Sequence, residues 1–184
     1  FIHTENGGVS NARNLALDIA IGEYVTFIDD DDFVSERYLE MLYAKVSTDT
    51  IALCYPYAFN DGDVLHQLEY SITSQYDEIS ALGKQIYPRA RKFFSGPCMK
   101  LIPMSFIQGR RYDTRFKNGE DSLFMFLISD RFKYVDFTDQ SATYYRRYRL
   151  NSAIAYNRNK NYVVANSIKI ILTYIKYYFK HPFR

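Results

Sequence analysis

The 184 residues are 47% hydrophobic and 24% charged, a balance that fits a folded globular chain and excludes a disordered one. A formal net charge of +2 gives no footing for nucleic acid, so no nucleic-acid partner is expected. Cys54 and Cys98 stand far apart without metal-ligand spacing, and no stretch reads as a signal peptide or a membrane span, which fits one domain in a reducing compartment.

Taken in chain order, Gly7 and Gly8 open a loop free to approach a ligand, and Ser10 is the predicted N-cap of a helix over 11–20 with Leu15 and Ile19 on its buried face. Arg13, near that helix's start, can reach a phosphate or serve in an ion pair. Residues 23–28 (EYVTFI) read as a short buried parallel strand. Four aspartates, Asp29, Asp30, Asp31 and Asp32, follow directly. Ligand sites in open α/β sheets lie outside the carboxyl ends of strands. Adjacent carboxylates repel one another, and a Mg²⁺ or Mn²⁺ shared with a diphosphate relieves the repulsion. The same run also reads as a solvated turn that caps the next helix.

Ser35 starts a second predicted helix with Leu39, Leu42, Tyr43 and Val46 as its apolar stripe. Residues 51–59 read as a strand, and the turn at 60–63 leads to a second run over 64–70, a hairpin over a sheet edge in which Pro56 argues against a central position. Residues 77–94 read as a helix whose Arg89, Arg91 and Lys92 form a solvated face, the favoured reading, or an acceptor-side anion contact. A strand over 96–102 carries Lys100, and a short helix starts at Pro103. Glu120 and Asp121 open a helix with Leu123, Phe124, Leu127 and Ile128 inward, where a carboxylate at the N-terminus tends to stay ionised, as a general base requires. Strands follow over 132–137 and 142–149, the second ending in Arg146, Arg147 and Arg149, a cluster suited to a diphosphate or to a protected sheet edge. With 18 Tyr and 14 Phe, most aromatic rings must be core or surface. His3, His66 and His181 stand apart from any acid cluster.

The tail over 162–184 is a separate predicted helix. Lys169, Thr173, Lys176 and Lys180 share one face, while Ile168, Ile171, Leu172, Ile175, Tyr178 and Phe179 cover the rest. That pattern suits peripheral contact with a membrane surface, and equally packing on the domain or on a second subunit.

Three motifs carry a resemblance. Residues 5–32 (ENGGVSNARNLALDIAIGEYVTFIDDDD), the Asn118-Gly119-Glu120-Asp121 stretch, and Tyr144-Tyr145-Arg146 followed by Asn151-Ser152 resemble, in order and spacing, the signatures of family 2 glycosyltransferases. The resemblance implies a GT-A fold, α/β with a mixed sheet and flanking helices. It implies metal-dependent, inverting transfer of a sugar from a nucleotide-diphosphate donor, a UDP-sugar foremost, to a hydroxyl of a glycan or lipid-linked acceptor in bacterial polysaccharide synthesis.

On that pattern Asp29 and Asp31 form the Asp-x-Asp motif with Asp32 as a third metal ligand for Mn²⁺ or Mg²⁺, while Asp30 is the weakest candidate. Asp121 is the catalytic base with Glu120 beside it, and Arg13, Asn14, Asp29, Asp31 and Arg146 face the donor. Lys100 is a weak acceptor-side candidate, otherwise a surface lysine. The resemblance implies cytoplasmic placement, peripheral at the membrane's inner face if the tail contacts lipid.

The family's opening βαβ unit, with its Pro-Val-Tyr-Asn strand and Asp-Asp-Gly-Ser turn, is not found here. The expectation is therefore a C-terminal portion of the catalytic domain over 1–155, lacking roughly 80 to 100 residues, followed by an amphipathic tail over 156–184. A non-catalytic glycan-assembly subunit that binds a partner or membrane through the tail is the alternative, and a nucleotidyltransferase a third reading that leaves Glu120 and Asp121 without a role.

Overall fold

The computed structural model describes residues 2–149 and 160–180. The expected 155/156 boundary, Asn151, Ser152, His181 and the end of the tail lie outside the described residues.

Two mixed sheets carry the fold. The first runs β1 (Tyr24–Val25), β7 (Lys100–Pro103), β3 (Thr50–Leu53), β8 (Tyr134–Phe137), β6 (Gln85–Ile86). The second runs β2 (Phe33–Val34), β9 (Thr143–Tyr148), β4 (Tyr55–Asn60), β5 (Asp63–Gln67). The pairs β3 with β8 and β4 with β9 are parallel, and the other pairs are antiparallel.

The run expected to be one strand over 51–59 is two, because the chain passes from the first sheet to the second at Cys54, whose N–H donates to the Met99 carbonyl at 3.1 Å. Pleating assigns the core. Ile51 and Leu53 join Phe93, Ile102, Phe124 and Val135 on one face, whereas Ala52 and Cys54 join Tyr38, Leu42, Leu101 and Tyr144 on the other. Each such large apolar side chain stabilises the fold by roughly 1.5–3 kcal/mol on burial.

Pro56 lies on an inner strand, contrary to the expectation of an edge. β5 meets β4 only near Phe59 and Asn60, so at Pro56 the pairing is one-sided, to Tyr144, and the missing N–H leaves no ladder bond unmade. The hairpin turns at Gly62 with φ +83°, and β5 is exposed along its length.

Residues 23–28 do not form a buried parallel strand. β1 is a two-residue edge strand antiparallel to β7, and only the Phe27–Cys98 bridge is parallel. Its residues alternate between the two cores, Val25 and Phe27 toward one and Tyr24 toward the other, with Thr26 Oγ1 2.8 Å from Tyr38 Oη.

The helices shift in the same way. α1 (Val9–Ile19) is preceded by Gly8, whose φ of +82° makes the turn, while Ser10 lies inside the helix with its hydroxyl buried and without a hydrogen-bond partner among the described residues. Leu17 is its buried leucine; Ile19 is exposed. α2 (Tyr38–Tyr43) buries Tyr38 and Leu42, four apart, and leaves Leu39 and Tyr43 outside. The helix expected over 77–94 is broken into α3 (Ser71–Ser80), β6, α4 (Tyr87–Ala90) and a 3₁₀ turn (Arg91–Ser95), because Gly83 adopts φ +71° and Pro88 can open a helix but not sit within one. Arg89, Arg91 and Lys92 are exposed there. α5 (Met104–Ile107) follows Pro103, and α6 (Glu120–Ile128) buries Leu123, Phe124, Met125 and Ile128. α7 (Lys160–Lys180) packs on α6 through Tyr174 against Phe126, with ring centroids 4.8 Å apart.

Candidate active site

The site forms where α1, the end of β1 and the start of α6 converge, and Arg13 is the residue that joins them. Its Nη2 donates to Asp29 Oδ1 at 3.0 Å and its Nη1 to Asp121 Oδ1, linking residues 16 and 108 positions away. The guanidinium rests on aromatic rings, 5.4 Å from the centroid of Tyr112 and 5.9 Å from that of Phe27. Tyr112 is in turn stacked on Phe124 at 3.9 Å. Burial opposes the charge on Arg13, and the two carboxylates, Asp121 foremost, more than restore it.

Asp121 experiences the opposite balance. Burial pushes its carboxyl up to about 6, Arg13 holds it from rising further, and Glu120 and Asp29 add repulsion. The group is therefore ionised at neutral pH yet basic enough to accept a proton. Glu120, its neighbour, is buried, does not line the cavity, and its Oε2 has no hydrogen-bond partner among the described residues.

Tyr144, wholly buried on β9, ties the aspartate run to the second sheet. Its hydroxyl donates to Asp32 Oδ2 at 2.7 Å and accepts the Asp29 N–H at 3.2 Å, and the Arg147 N–H donates to Asp32 Oδ1 at 2.8 Å. Both Asp32 oxygens are thus engaged. Burial raises Asp32 above the usual carboxylate range, these two hydrogen bonds oppose the rise, and Asp31 and Asp29 add to it. Asp31 pairs with Arg149 at 3.3 Å.

These groups line a cavity of about 210 Å³ with Asp29, Asp32, Asp121, Tyr144, Lys100 and Arg146 on its wall. Arg146 is two residues from Tyr144 and so shares its face. Its Nη1 donates to Tyr70 Oη at 2.9 Å, and the guanidinium lies over Tyr70 and Tyr148. The same alternation separates the three arginines expected as one cluster. Arg147 pairs with Asp61 at 3.1 Å over Phe59, and only Arg146 lines the cavity.

Lys100 is no surface lysine. It is 2% exposed, donates Nζ to the carbonyls of Gly96 at 2.8 Å and Cys98 at 2.9 Å, and is brought down to about 8 by burial. It braces the Gly96–Cys98 wall, next to Met99 at φ +66°. Asn14 stands behind Arg13, which like it does not line the cavity. Its amide exchanges two hydrogen bonds with the backbone of Tyr112, at 3.0 and 2.8 Å, so it anchors the ring beneath Arg13 and does not line the cavity.

Sequence reasoning did not single out Tyr112, Tyr70 or Tyr144 individually. The signal available for Tyr144 was its two-residue spacing from Arg146 on one strand.

Among the described residues no three His, Cys, Asp or Glu side chains converge as a ready cation cage. Magnesium-type ions do not require one, being held by one or two carboxylates together with phosphate oxygens. Asp29 and Asp31 suit that role: each is partly exposed and each gives a single oxygen to an arginine. Asp32 accepts one hydrogen bond on each oxygen, which leaves each a further lone pair for an ion, and it lines the cavity with Asp29, whereas Asp31 does not.

The family model described as Glycosyl transferase family 2 matches residues 1–110. The chain belongs to glycosyl transferase family 2. Among family relatives, glycosyltransferase GlyA of Streptococcus pneumoniae is 31% identical over 147 residues, covering 74% of this chain and 21% of GlyA. The minor teichoic acid biosynthesis protein GgaB of Bacillus subtilis is 29% identical over 147 residues, covering 77% of this chain and 16% of GgaB. The crystal structure of S. aureus TarS in complex with UDP-GlcNAc superposes with a TM-score of 0.62 at 20% identity, covering 85% of this chain and 43% of that one. The chain thus spans less than half of each, and its mixed α/β architecture is that of the GT-A glycosyltransferases. No described helix is long and apolar enough to cross a membrane.

Proposed function

We propose that residues 1–155 form the C-terminal portion of a catalytic domain that transfers a sugar from a nucleotide-diphosphate donor, a UDP-sugar foremost, to a hydroxyl of a glycan or lipid-linked acceptor, with residues 156–184 as an appended tail. The setting is assembly of bacterial cell-surface polysaccharide from the cytoplasmic side. The observation that carries this reading is the joint held by Arg13. One guanidinium bonds Asp29 and Asp121, and both carboxylates line a single cavity, an arrangement that supports a donor site and a base working on the same space. The names of relatives, in teichoic acid synthesis and with UDP-GlcNAc bound, agree with the donor class.

In the proposed reaction Asp121 accepts the proton of the acceptor hydroxyl. The freed oxygen pair forms the new bond to the anomeric carbon, the bond to the diphosphate oxygen breaks, and its electron pair leaves with the nucleotide diphosphate. Attack opposite the leaving group inverts the anomeric centre. Arg13 keeps Asp121 ionised and aimed, and Arg146 adds positive charge to the cavity wall. Asp31, with help from Asp29 or Asp32, would hold Mn²⁺ or Mg²⁺, which would supply Lewis-acid neutralisation of charge on the diphosphate.

The test is thermal unfolding of the full-length protein with a panel of nucleotide sugars, with and without Mn²⁺. Ligands bound only by the native state raise its apparent stability. A Mn²⁺-dependent rise is expected with one donor, lost in Asp31→Asn and kept in Asp121→Asn. Equal loss in both variants would contradict the division of roles.

A further inference from the structure

The described part of α7 has two apolar faces, and the domain uses only one. Ile170, Thr173, Tyr174 and Tyr177 lie on the side toward the domain. Ile170 packs at Gly119, where an added Cβ would sit 2.7 Å from Ile170 Cδ1, and Asn166 Nδ2 donates to the Asn118 carbonyl at 3.3 Å. At about 100° per residue, Ile168, Ile171, Leu172, Ile175 and Phe179 project from the opposite side. All five are exposed, Leu172 at 60% and Phe179 at 75%. Lys169, Lys176 and Lys180 form one row beside this stripe, and residues 165–180 contain no acidic residue.

We propose that this outward face of α7 docks on an anionic lipid surface, with the helix lying in the plane of the interface. An apolar stripe of this kind, left in water, is the feature that needs explaining. Two observations select lipid as its cover. The lysine row follows one edge of the stripe, as it would to reach lipid phosphates while the isoleucines enter the acyl boundary. A second copy of the helix would meet the stripe but offers the lysines no acid. No described helix is long and apolar enough to cross a bilayer, so on a lipid surface α7 would lie in the plane of the interface.

The orientation has a consequence for the site. The inward face of α7 grips the residues just before Glu120 and Asp121, so lipid docking would hold the start of α6, and the cavity with it, at a fixed height above the surface where a lipid-linked acceptor is presented.

Docking can be read without donor or acceptor, so its failure and that of the transferase reading are distinguishable. The full-length protein is mixed with vesicles of phosphatidylcholine alone or with about one-third phosphatidylglycerol, and partition is measured by flotation. Because the chain contains no Trp, Ile175→Trp supplies a reporter whose emission should shift to the blue only with the anionic vesicles, provided any Trp elsewhere in the full-length protein is first replaced.

Near a membrane surface each lysine strengthens partition about five-fold. The triple variant Lys169→Gln, Lys176→Gln, Lys180→Gln should therefore bind about 100-fold more weakly. The pair Ile171→Asp, Leu172→Asp should abolish binding with the fold intact by circular dichroism, since both sites are exposed. Partition unaffected by the aspartates would overturn the proposal. So would absence of binding to the anionic vesicles; a dimer seen by sedimentation that the aspartates dissolve would then assign the face to a second copy of the chain.

Discussion

Replacing Arg13 by Gln separates the two roles the arginine could have. Arg13 and Asp121 are joined by a charge-assisted hydrogen bond, a contact worth about 1.5–3 kcal/mol, and one pH unit of titration corresponds to about 1.36 kcal/mol. Burial, with repulsion from Glu120 and Asp29, already holds Asp121 high, at about 6 with Arg13 present. Removing the guanidinium should therefore carry the carboxyl up by about one to two units, to roughly 7–8. At about pH 7 the ionised fraction would fall from roughly nine-tenths to between one-half and one-tenth, so turnover limited by the base should drop about 2- to 10-fold and recover near pH 9. The assay is nucleotide release across that pH range, with carboxyl-carbon NMR of labelled aspartate as a direct reading of the titration. A loss of equal size at every pH would refute the reasoning and give Arg13 to the phosphates instead.

Three further outcomes follow from the geometry. Tyr144→Phe removes the hydroxyl that satisfies Asp32 and the Asp29 N–H; urea unfolding should show a loss of about 1.5–3 kcal/mol, and an unchanged midpoint would mean the aspartate run is held by other groups. Gly119→Ala meets both a φ of +83° and the Ile170 side chain, so it should destabilise by at least about 1–2 kcal/mol. Adding Ile170→Ala should relieve the clash but not the backbone strain, a partial rescue readable in a double-mutant cycle. Asp121 binds its proton more tightly folded than unfolded, so its contribution to stability is fully present below pH 3.8 and is lost as pH rises through about 6. Over that window wild type should lose up to about 3 kcal/mol relative to Asp121→Asn, from about two units at 1.36 kcal/mol each; parallel stability profiles would contradict the upward displacement of this carboxyl.

What was legible in the sequence was local chemistry with a period. α6 is readable because Leu123, Phe124 and Ile128 repeat on one face behind Gly119. The aspartate run and Asp121 carry enough chemistry to be noticed separately, and their meeting through Arg13 is what the fold adds. Less legible were features decided by contacts distant in sequence. Nothing local marks Cys54 as the point where an apolar run changes sheets, since Leu53 and Tyr55 are equally suited to either. Lys100 reads as a surface residue until its Nζ is seen between two carbonyls, because a lysine's burial depends on acceptors supplied by the fold. The three arginines after Tyr144 look like one patch in sequence, but the two-residue period of β9 sends Arg147 to the opposite side from Arg146. The helix expected over 77–94 failed for a local reason, as Gly83 and Pro88 were both in view and outweigh the apolar pattern around them.

Asp121 as the base is tested by turnover of Asp121→Asn against wild type in the full-length protein, with donor affinity measured on the same samples. General-base catalysis contributes about 10²–10⁴-fold, so sugar transfer should fall by that factor while the donor dissociation constant stays within about three-fold, a change worth under 1 kcal/mol. Transfer at the wild-type rate in the variant would remove Asp121 from the reaction.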